Sequence, residues 1–128
     1  MSTTVVEVRE LREGRYMVVD DQPCKILSIT TSKPGKHGAA KARIDVVGIF
    51  DNVKRSFVGP VTERVQVPLI DKRNGQVLNF HGDQVQLMDL ETFEQFDLPV
   101  PEEVRSTIQA GKEIVYYEAM GRRMIMRL

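Results

Sequence analysis

The residues best placed to do chemistry lie in one short run, Ser32-Lys33-Pro34-Gly35-Lys36-His37-Gly38-Ala39-Ala40-Lys41. It holds three lysines and a histidine, with Arg43 just beyond, and no acid occurs from Lys33 to Ile44. Its least polar members are small alanines and one proline, so it has nothing with which to enter a core. Gly35 and Gly38 bracket Lys36-His37 and let the backbone turn sharply there. A lysine at such an apex is a primary amine on a flexible stem. It can meet a phosphate-rich surface, and it is a poor buried nucleophile because nothing desolvates it. Two phosphate-loop readings fail. The Gly-x-x-x-x-Gly-Lys-Ser/Thr pattern needs Ser or Thr where His37 stands. Gly35-Lys36-His37-Gly38 has the form of the KH-domain Gly-x-x-Gly, but that loop joins helices and this one joins strands.

The flanks supply those strands. Cys24–Thr31 is β-branched and is expected to put Leu27, Ile29 and Thr31 on one face. Arg43–Val46 alternates with Ile44 and Val46 inward, and Gly48 suggests a bulge or bend. The run 32–41 is then a hairpin loop, longer than the usual ~2–5 residues. Glu63–Val67 alternates again, and Arg9–Val19 reads as a hairpin around Glu13-Gly14-Arg15 with Tyr16 and Val18 on one face. Short strands with turn signals between them suggest a small barrel, ended by Pro68.

Beyond Pro68 the pattern changes. Leu69–Lys72 and Gln76–Phe80 are expected to form a hairpin, because Arg73-Asn74-Gly75 carries the Asn-Gly turn signal. His81-Gly82-Asp83 reads as a further turn, followed by strands at Gln84–Leu87 and Phe93–Leu98. Pro101–Ala110 is expected to be a helix: proline opens it, Glu102 and Glu103 suit its positive end, Gly111 suits its exit, and Val104 and Ile108 share a face. Strands Glu113–Ala119 and Arg123–Leu128 follow, joined around Met120-Gly121-Arg122. The order strand, strand, strand, helix, strand, strand is that of an OB-fold barrel. The predicted class is all-β: an SH3-like domain over residues 1–69 and an OB-fold domain with one short helix over residues 70–128.

Charge supports the division. The chain of 128 residues has 18 basic and 18 acidic side chains. Residues 1–70 hold eleven lysines and arginines against eight acids, and the rest hold seven against ten. Such asymmetry hints at a nucleic-acid contact on the basic half. The longest apolar stretch, 46–50, is far short of the ~18–20 residues that cross a bilayer, so no membrane association is expected. Met1–Glu7 has no secretory pattern, and the lone Cys24 precludes an internal disulfide and a multi-cysteine metal site. A cytoplasmic protein is expected.

With these elements in place the central run becomes recognisable. Thr31–Lys41 resembles the hypusine loop of the translation initiation factor 5A family, matching Ser-Lys-x-Gly-Lys-His-Gly-x-Ala-Lys. The likeness extends over the chain: Asp20–Ile26 is similar to the strand entering that loop, and Val65-Gln66-Val67-Pro68 to the interdomain junction. The short N-terminus and Pro34 resemble archaeal members. The resemblance implies that Lys36 is modified by deoxyhypusine synthase, which uses NAD to transfer a spermidine-derived aminobutyl group to it. Hydroxylation to hypusine can follow. It further implies a ribosome-binding factor beside peptidyl-tRNA and rRNA that promotes peptide-bond formation, notably at proline-rich stalls, with no cofactor and no enzymatic activity of its own, acting as a monomer. Pro34, Gly35 and Gly38 then shape the loop, and Lys33, Lys41 and Arg43 are candidate tRNA or rRNA contacts. His37 reads equally as a stacking group and as a solvated histidine.

The remaining residues have plainer readings. Phe80, Phe93, Phe96, Tyr116 and Tyr117 are expected in the core, Met120, Met124 and Met126 as core filler, and Asp89, Glu91 and Glu94 on solvated faces. The rival to the modified factor is a generic RNA-binding module using the whole basic half, in which Lys33, Lys41 and Arg43 matter as much as Lys36. The other rival, an enzyme with Lys36 as amine nucleophile, lacks a buried site.

Overall fold

The computed structural model describes residues 3–32 and 40–125, and its chain divides into two compact units, 1–69 and 70–128. In the first unit, β1 (Thr3–Glu7) pairs antiparallel with β6 (Arg64–Pro68). A second sheet runs in the order β2 (Tyr16–Val19), β3 (Gln22–Ser32), β4 (Lys41–Gly48), β5 (Lys54–Pro60). Met17, Cys24, Ile26, Ala42, Ile44 and Val46 line its inner face and pack with Val8, Leu11, Val65 and Val67. Burial of each large side chain contributes about 1.5–3 kcal/mol. This is the expected SH3-like barrel.

Its local structure departs from the pattern in three places. Arg9–Arg12 is no strand: Val8–Glu10 forms one 3-10 turn, and β2 pairs with β3 instead. Tyr16 and Val18 do share a face, but the outer one, since Met17 and Val19 are the buried pair. The turn to β3 uses Asp20 and Asp21, both left-handed at φ 54 and 61. This is the two-residue geometry that favours Asn-Gly, and aspartate tolerates it. Replacing Asp21 by glycine removes the penalty without touching the Asp20–Arg55 pair, and is expected to stabilise the chain by about 0.5–1 kcal/mol in denaturant titration.

The third departure is a β-bulge. Ile26 faces Val46 and Ser28 faces Asp45, so Leu27 is an extra residue without a partner on β4. It flips to the solvent, 45% exposed, while Ile29 returns to the core. Leu27 and Ile29 therefore do not share a face as the alternation suggested. Ile44 and Val46 point inward as expected, and Gly48 closes β4 into a turn, where a Cβ would collide with the Asp51 carboxylate.

The second unit is a five-stranded sheet in the order β11 (Arg122–Ile125), β10 (Glu113–Ala119), β7 (Asp71–His81), β8 (Gln84–Asp89), β9 (Gln95–Pro99). With a helical segment between β9 and β10, this is the OB-fold order. The expected hairpin at Asn74-Gly75 does not exist, because β7 runs straight through it. Gly75 pairs with Asp89 on one side and Ile114 on the other, so two ladders hold the dipeptide extended and outweigh its turn preference. Gly82-Asp83 and Met120-Gly121 do form two-residue turns. The helix is shorter than expected: Glu102–Thr107 is 3-10, and Ile108 is already extended. Val104, Thr107 and Ile108 are β-branched and favour this early exit, which still buries Val104 and Ile108. Gly111, at φ +85, turns the chain into β10.

Candidate functional site

The central loop is carried by the longest pairing in the first unit. The β3–β4 ladder continues past the bulge through Ile29–Ile44, Thr30–Arg43 and Thr31–Ala42 to Ser32–Lys41. The connecting segment is therefore eight residues, 33–40, rather than ten. Lys33, Pro34, Gly35, Lys36, His37 and Gly38 lie outside the described residues. The base is fixed on both sides. Lys41 also faces Pro60 of β5, Val61 N–H donates to the Ala40 carbonyl at 3.0 Å, and Ile29 N–H donates to the Glu13 carboxylate at 3.1 Å. Both arms that lead to the segment are thus tied into sheet.

Lys41 and Arg43 occupy the outer face of β4, both exposed. Arg43 Nε lies 3.4 Å from Asp45 Oδ1, an exposed ion pair of the kind that contributes little and opens readily. The hydroxyls of Ser56 (2.7 Å) and Ser28 (3.1 Å) donate to Asp45 and, with Arg43, hold its carboxyl below the ordinary range. Asp45 is thus a fixed anion within a basic face. Register adds two cations that the motif reading overlooked: Lys25 and Lys54 both stand opposite Val47, one row below. The period-2 spacing of β4 and β5 could have revealed them. Lys25, Lys41, Arg43 and Lys54 together make this face suited to a phosphodiester backbone. An open concavity of about 510 Å³ beside it is lined by Leu27, Ser28, Asp45, Val46, Lys54, Arg55 and Ser56.

Beneath this face, Arg55 grips Asp51 with two nitrogens, at 2.8 and 3.2 Å. Cys24 is fully buried, and desolvation pushes its thiol pKa up, so it is the inert small apolar residue expected. Among the described residues no group of three or more His, Cys, Asp or Glu could hold a metal ion. Nor is any described helix long and apolar enough to cross a membrane.

The second unit corrects the reading of its acids and aromatics. Asp89 is not on a solvated face: it is 2% exposed. Arg73 binds it through Nε (2.6 Å) and a second nitrogen (3.1 Å), and the Tyr116 hydroxyl donates to it at 2.5 Å. Backbone N–H groups of Glu91 and Thr92 complete the set. These partners hold its carboxyl far below the ordinary range despite burial, while burial and the adjacent carboxylate push Tyr116 up to about 12. Tyr116 is core, with Phe96 edge-on at 5.1 Å. Phe80 and Phe93 are not, being 41% and 67% exposed. Phe93 falls in the turn before β9, not on the strand. Tyr117 is half-buried under Lys72. Met120 and Met124 are also only half-buried, and Met126 lies outside the described residues. His81 ends β7 exposed.

Comparison with known proteins covers both units. Residues 1–63 match the family model described as translation initiation factor 5A-like, N-terminal. Residues 69–128 match the one described as eukaryotic elongation factor 5A hypusine, DNA-binding OB fold. The translation initiation factor 5A of Archaeoglobus fulgidus is 56% identical over 123 residues, 96% of each chain. That of Methanosphaera stadtmanae is 58% identical over 127 residues, 99% of this chain and 96% of the relative. A solved structure described as eukaryotic translation initiation factor 5A from Methanococcus jannaschii is 48% identical. It superposes with a TM-score of 0.91, over 98% of this chain and 94% of that one.

Proposed function

The chain belongs to the translation initiation factor 5A family, and from that premise we propose that it is a ribosome-binding factor whose working group is Lys36, converted to deoxyhypusine or hypusine. Deoxyhypusine synthase supplies the aminobutyl group from spermidine, and the factor then acts beside peptidyl-tRNA to promote peptide-bond formation where the nascent chain stalls. The observation that carries the reading is the hairpin: the ladder ends at Ser32–Lys41, and the Lys-Pro-Gly-Lys-His-Gly segment starts from that pair, beside a face bearing Lys25, Arg43 and Lys54.

The chemistry follows from charge and reach. A lysine offers one ammonium; the extended side chain offers two amines, further from the barrel. Around RNA, two cationic donors can fix the position of a tRNA end. Holding reactants in near-attack geometry lowers a barrier by several kcal/mol, up to about 7–11 in favourable cases. Such a factor positions a reacting partner and transfers nothing itself, so the family's role is non-enzymatic. Pro34, Gly35 and Gly38 shape the segment, while Lys33, His37, Lys41 and Arg43 contact the nucleic acid.

The basic face also favours a second reading, a generic RNA-binding module. The two separate by mass. Protein from the native host is expected to yield a Lys36 peptide heavier by an aminobutyl group, or by that group plus one oxygen. An unmodified peptide would discard the proposal and leave the generic module, for which Lys41→Ala and Arg43→Ala must each weaken RNA binding as much as Lys36→Ala.

A further inference from the structure

The turn between β8 and β9 is built in a way its own packing does not explain. Phe93 has φ 62, a left-handed conformation that a bulky aromatic side chain rarely adopts, yet its ring is 67% exposed. The strain therefore gains no core burial. It is imposed by a dense set of bonds around Asp89. The Phe93 N–H donates to the Asp89 carbonyl (2.8 Å), the Asp89 N–H to the Glu94 carbonyl (2.9 Å), and the Glu91 and Thr92 N–H groups to the Asp89 carboxylate. Leu90 N–H is tied to Asn74 of β7, and Arg123 holds the Glu94 carboxylate with two nitrogens (2.8 and 3.2 Å). The backbone of the turn is held before any partner arrives, and it presents an outward-facing aromatic ring. Strain persisting where surroundings over-determine it is a mark of functional segments. An aromatic side chain on a pre-ordered backbone suits a binding anchor, because the backbone has little entropy left to lose.

The surroundings select the partner. Glu91, two residues before Phe93, is exposed, Asp97 is exposed on β9, and the arginines that hold the turn are each shared by more than one carboxylate, Arg73 by Asp71, Asp89 and Glu91 and Arg123 by Glu94 and Glu118. This net anionic rim repels nucleic-acid phosphates, and it would equally repel the same turn on a second copy of the chain. We propose that the Asp89–Glu94 turn is a protein-docking element that seats Phe93 in an apolar pocket rimmed by Lys or Arg on a ribosomal protein. The pairing splits the labour of the two units: the basic hairpin addresses RNA and the acidic turn addresses protein. The proposal rests on the ribosome being the site of action.

Salt-washed ribosomes from the host are the probe, with the full chain carrying p-benzoylphenylalanine in place of Phe93. Illumination is expected to join position 93 to a ribosomal protein. Phe93→Ala is expected to weaken ribosome binding about 10-fold or more. Phe93→Asn, a residue that accepts the left-handed conformation, must weaken binding equally while leaving Tm no lower than that of the unsubstituted chain. Crosslinks to rRNA or to a second copy, or none at all, would overturn the proposal, as would a lowered Tm in Phe93→Asn, which would make the ring a packing group. Ribosome binding by the unsubstituted chain with no effect of Phe93→Ala overturns this inference alone. Absence of any ribosome binding overturns it together with the reading on which it rests.

Discussion

Lys36→Arg is expected to leave the fold intact and to abolish stimulation of peptide-bond formation at proline-rich stretches. Arginine keeps the positive charge and almost the length of the lysine, so any role that needs only a cation survives. It lacks the primary amine that receives the aminobutyl group, so a role that needs the second amine is lost. Position 36 falls in the run between the paired residues Ser32 and Lys41, whose composition offers no large apolar side chain to a core. A substitution away from core, caps and buried polar groups typically changes stability by no more than about 0.5 kcal/mol. Loss of function with an unchanged melting curve therefore separates chemistry from folding. If correct positioning is worth only a few kcal/mol, synthesis through a run of prolines slows at least ~10–100-fold in a reconstituted translation system. Equal rates for arginine and modified lysine would show that a single cation suffices and that modification is not the working feature. The control is Arg43→Lys, which keeps the face basic and is expected to retain most activity.

The architecture was legible because each barrel writes its inner face in alternate residues. Ile44 and Val46, or Val85 and Leu87, recur at period two and are buried as that period requires. The lysine-rich segment was legible for the opposite reason, since it contains nothing a core could use. What alternation could not reveal was any place where one residue breaks it. A single extra residue at Leu27 inverts the facing of everything beyond it, and nothing in Ile-Leu-Ser-Ile distinguishes a bulge from a regular strand. Asn74-Gly75 misled because turn preference is local, worth about 1 kcal/mol, whereas the two ladders that straighten it are formed with distant partners, Asp89 on one side and Ile114 and Val115 on the other. Asp89 misled most. An aspartate near Glu91 and Glu94 looks solvated, and only the return of β7 and β10 brings Arg73 and Tyr116 onto it. The same long-range contacts fix the turn that holds out Phe93, so the sequence carried no sign of either.

That buried carboxylate leads to the second large effect. Asp89→Asn preserves the shape of the side chain but removes its charge, and it presents an amide donor either toward Arg73 Nε and the Tyr116 hydroxyl or toward the second Arg73 nitrogen and the Glu91 and Thr92 N–H groups, all of which donate to the carboxylate. Breaking a buried pair by altering one partner costs about 3–5 kcal/mol. In amide hydrogen exchange on the full chain, protection of β7, β8 and β10 is expected to fall at least ~100-fold, an energy of about 2.7 kcal/mol. The β2–β5 sheet serves as the internal reference. The pH dependence gives an independent check. The native Asp89 carboxyl titrates well below its unfolded value of about 3.9, so the unfolded state binds more protons. Its contribution is therefore fully present above that pH and is lost as the pH falls through about 4 and below. Tyr116 has the opposite sign. Its native pKa, pushed up to about 12 by burial and by the Asp89 carboxylate, exceeds the unfolded value of about 10. Its contribution is present below pH 10 and is lost as the pH rises from about 10 to 12. Tyr116→Phe should flatten this alkaline limb while leaving most of the acid limb, because Arg73 and two backbone N–H groups still hold the carboxylate. Asp89→Asn should shrink the acid limb of the second unit. Unchanged protection in Asp89→Asn, or an acid limb of undiminished size, would mean that Asp89 does not organise this barrel. It would also remove the scaffold on which the strained turn at Phe93 depends.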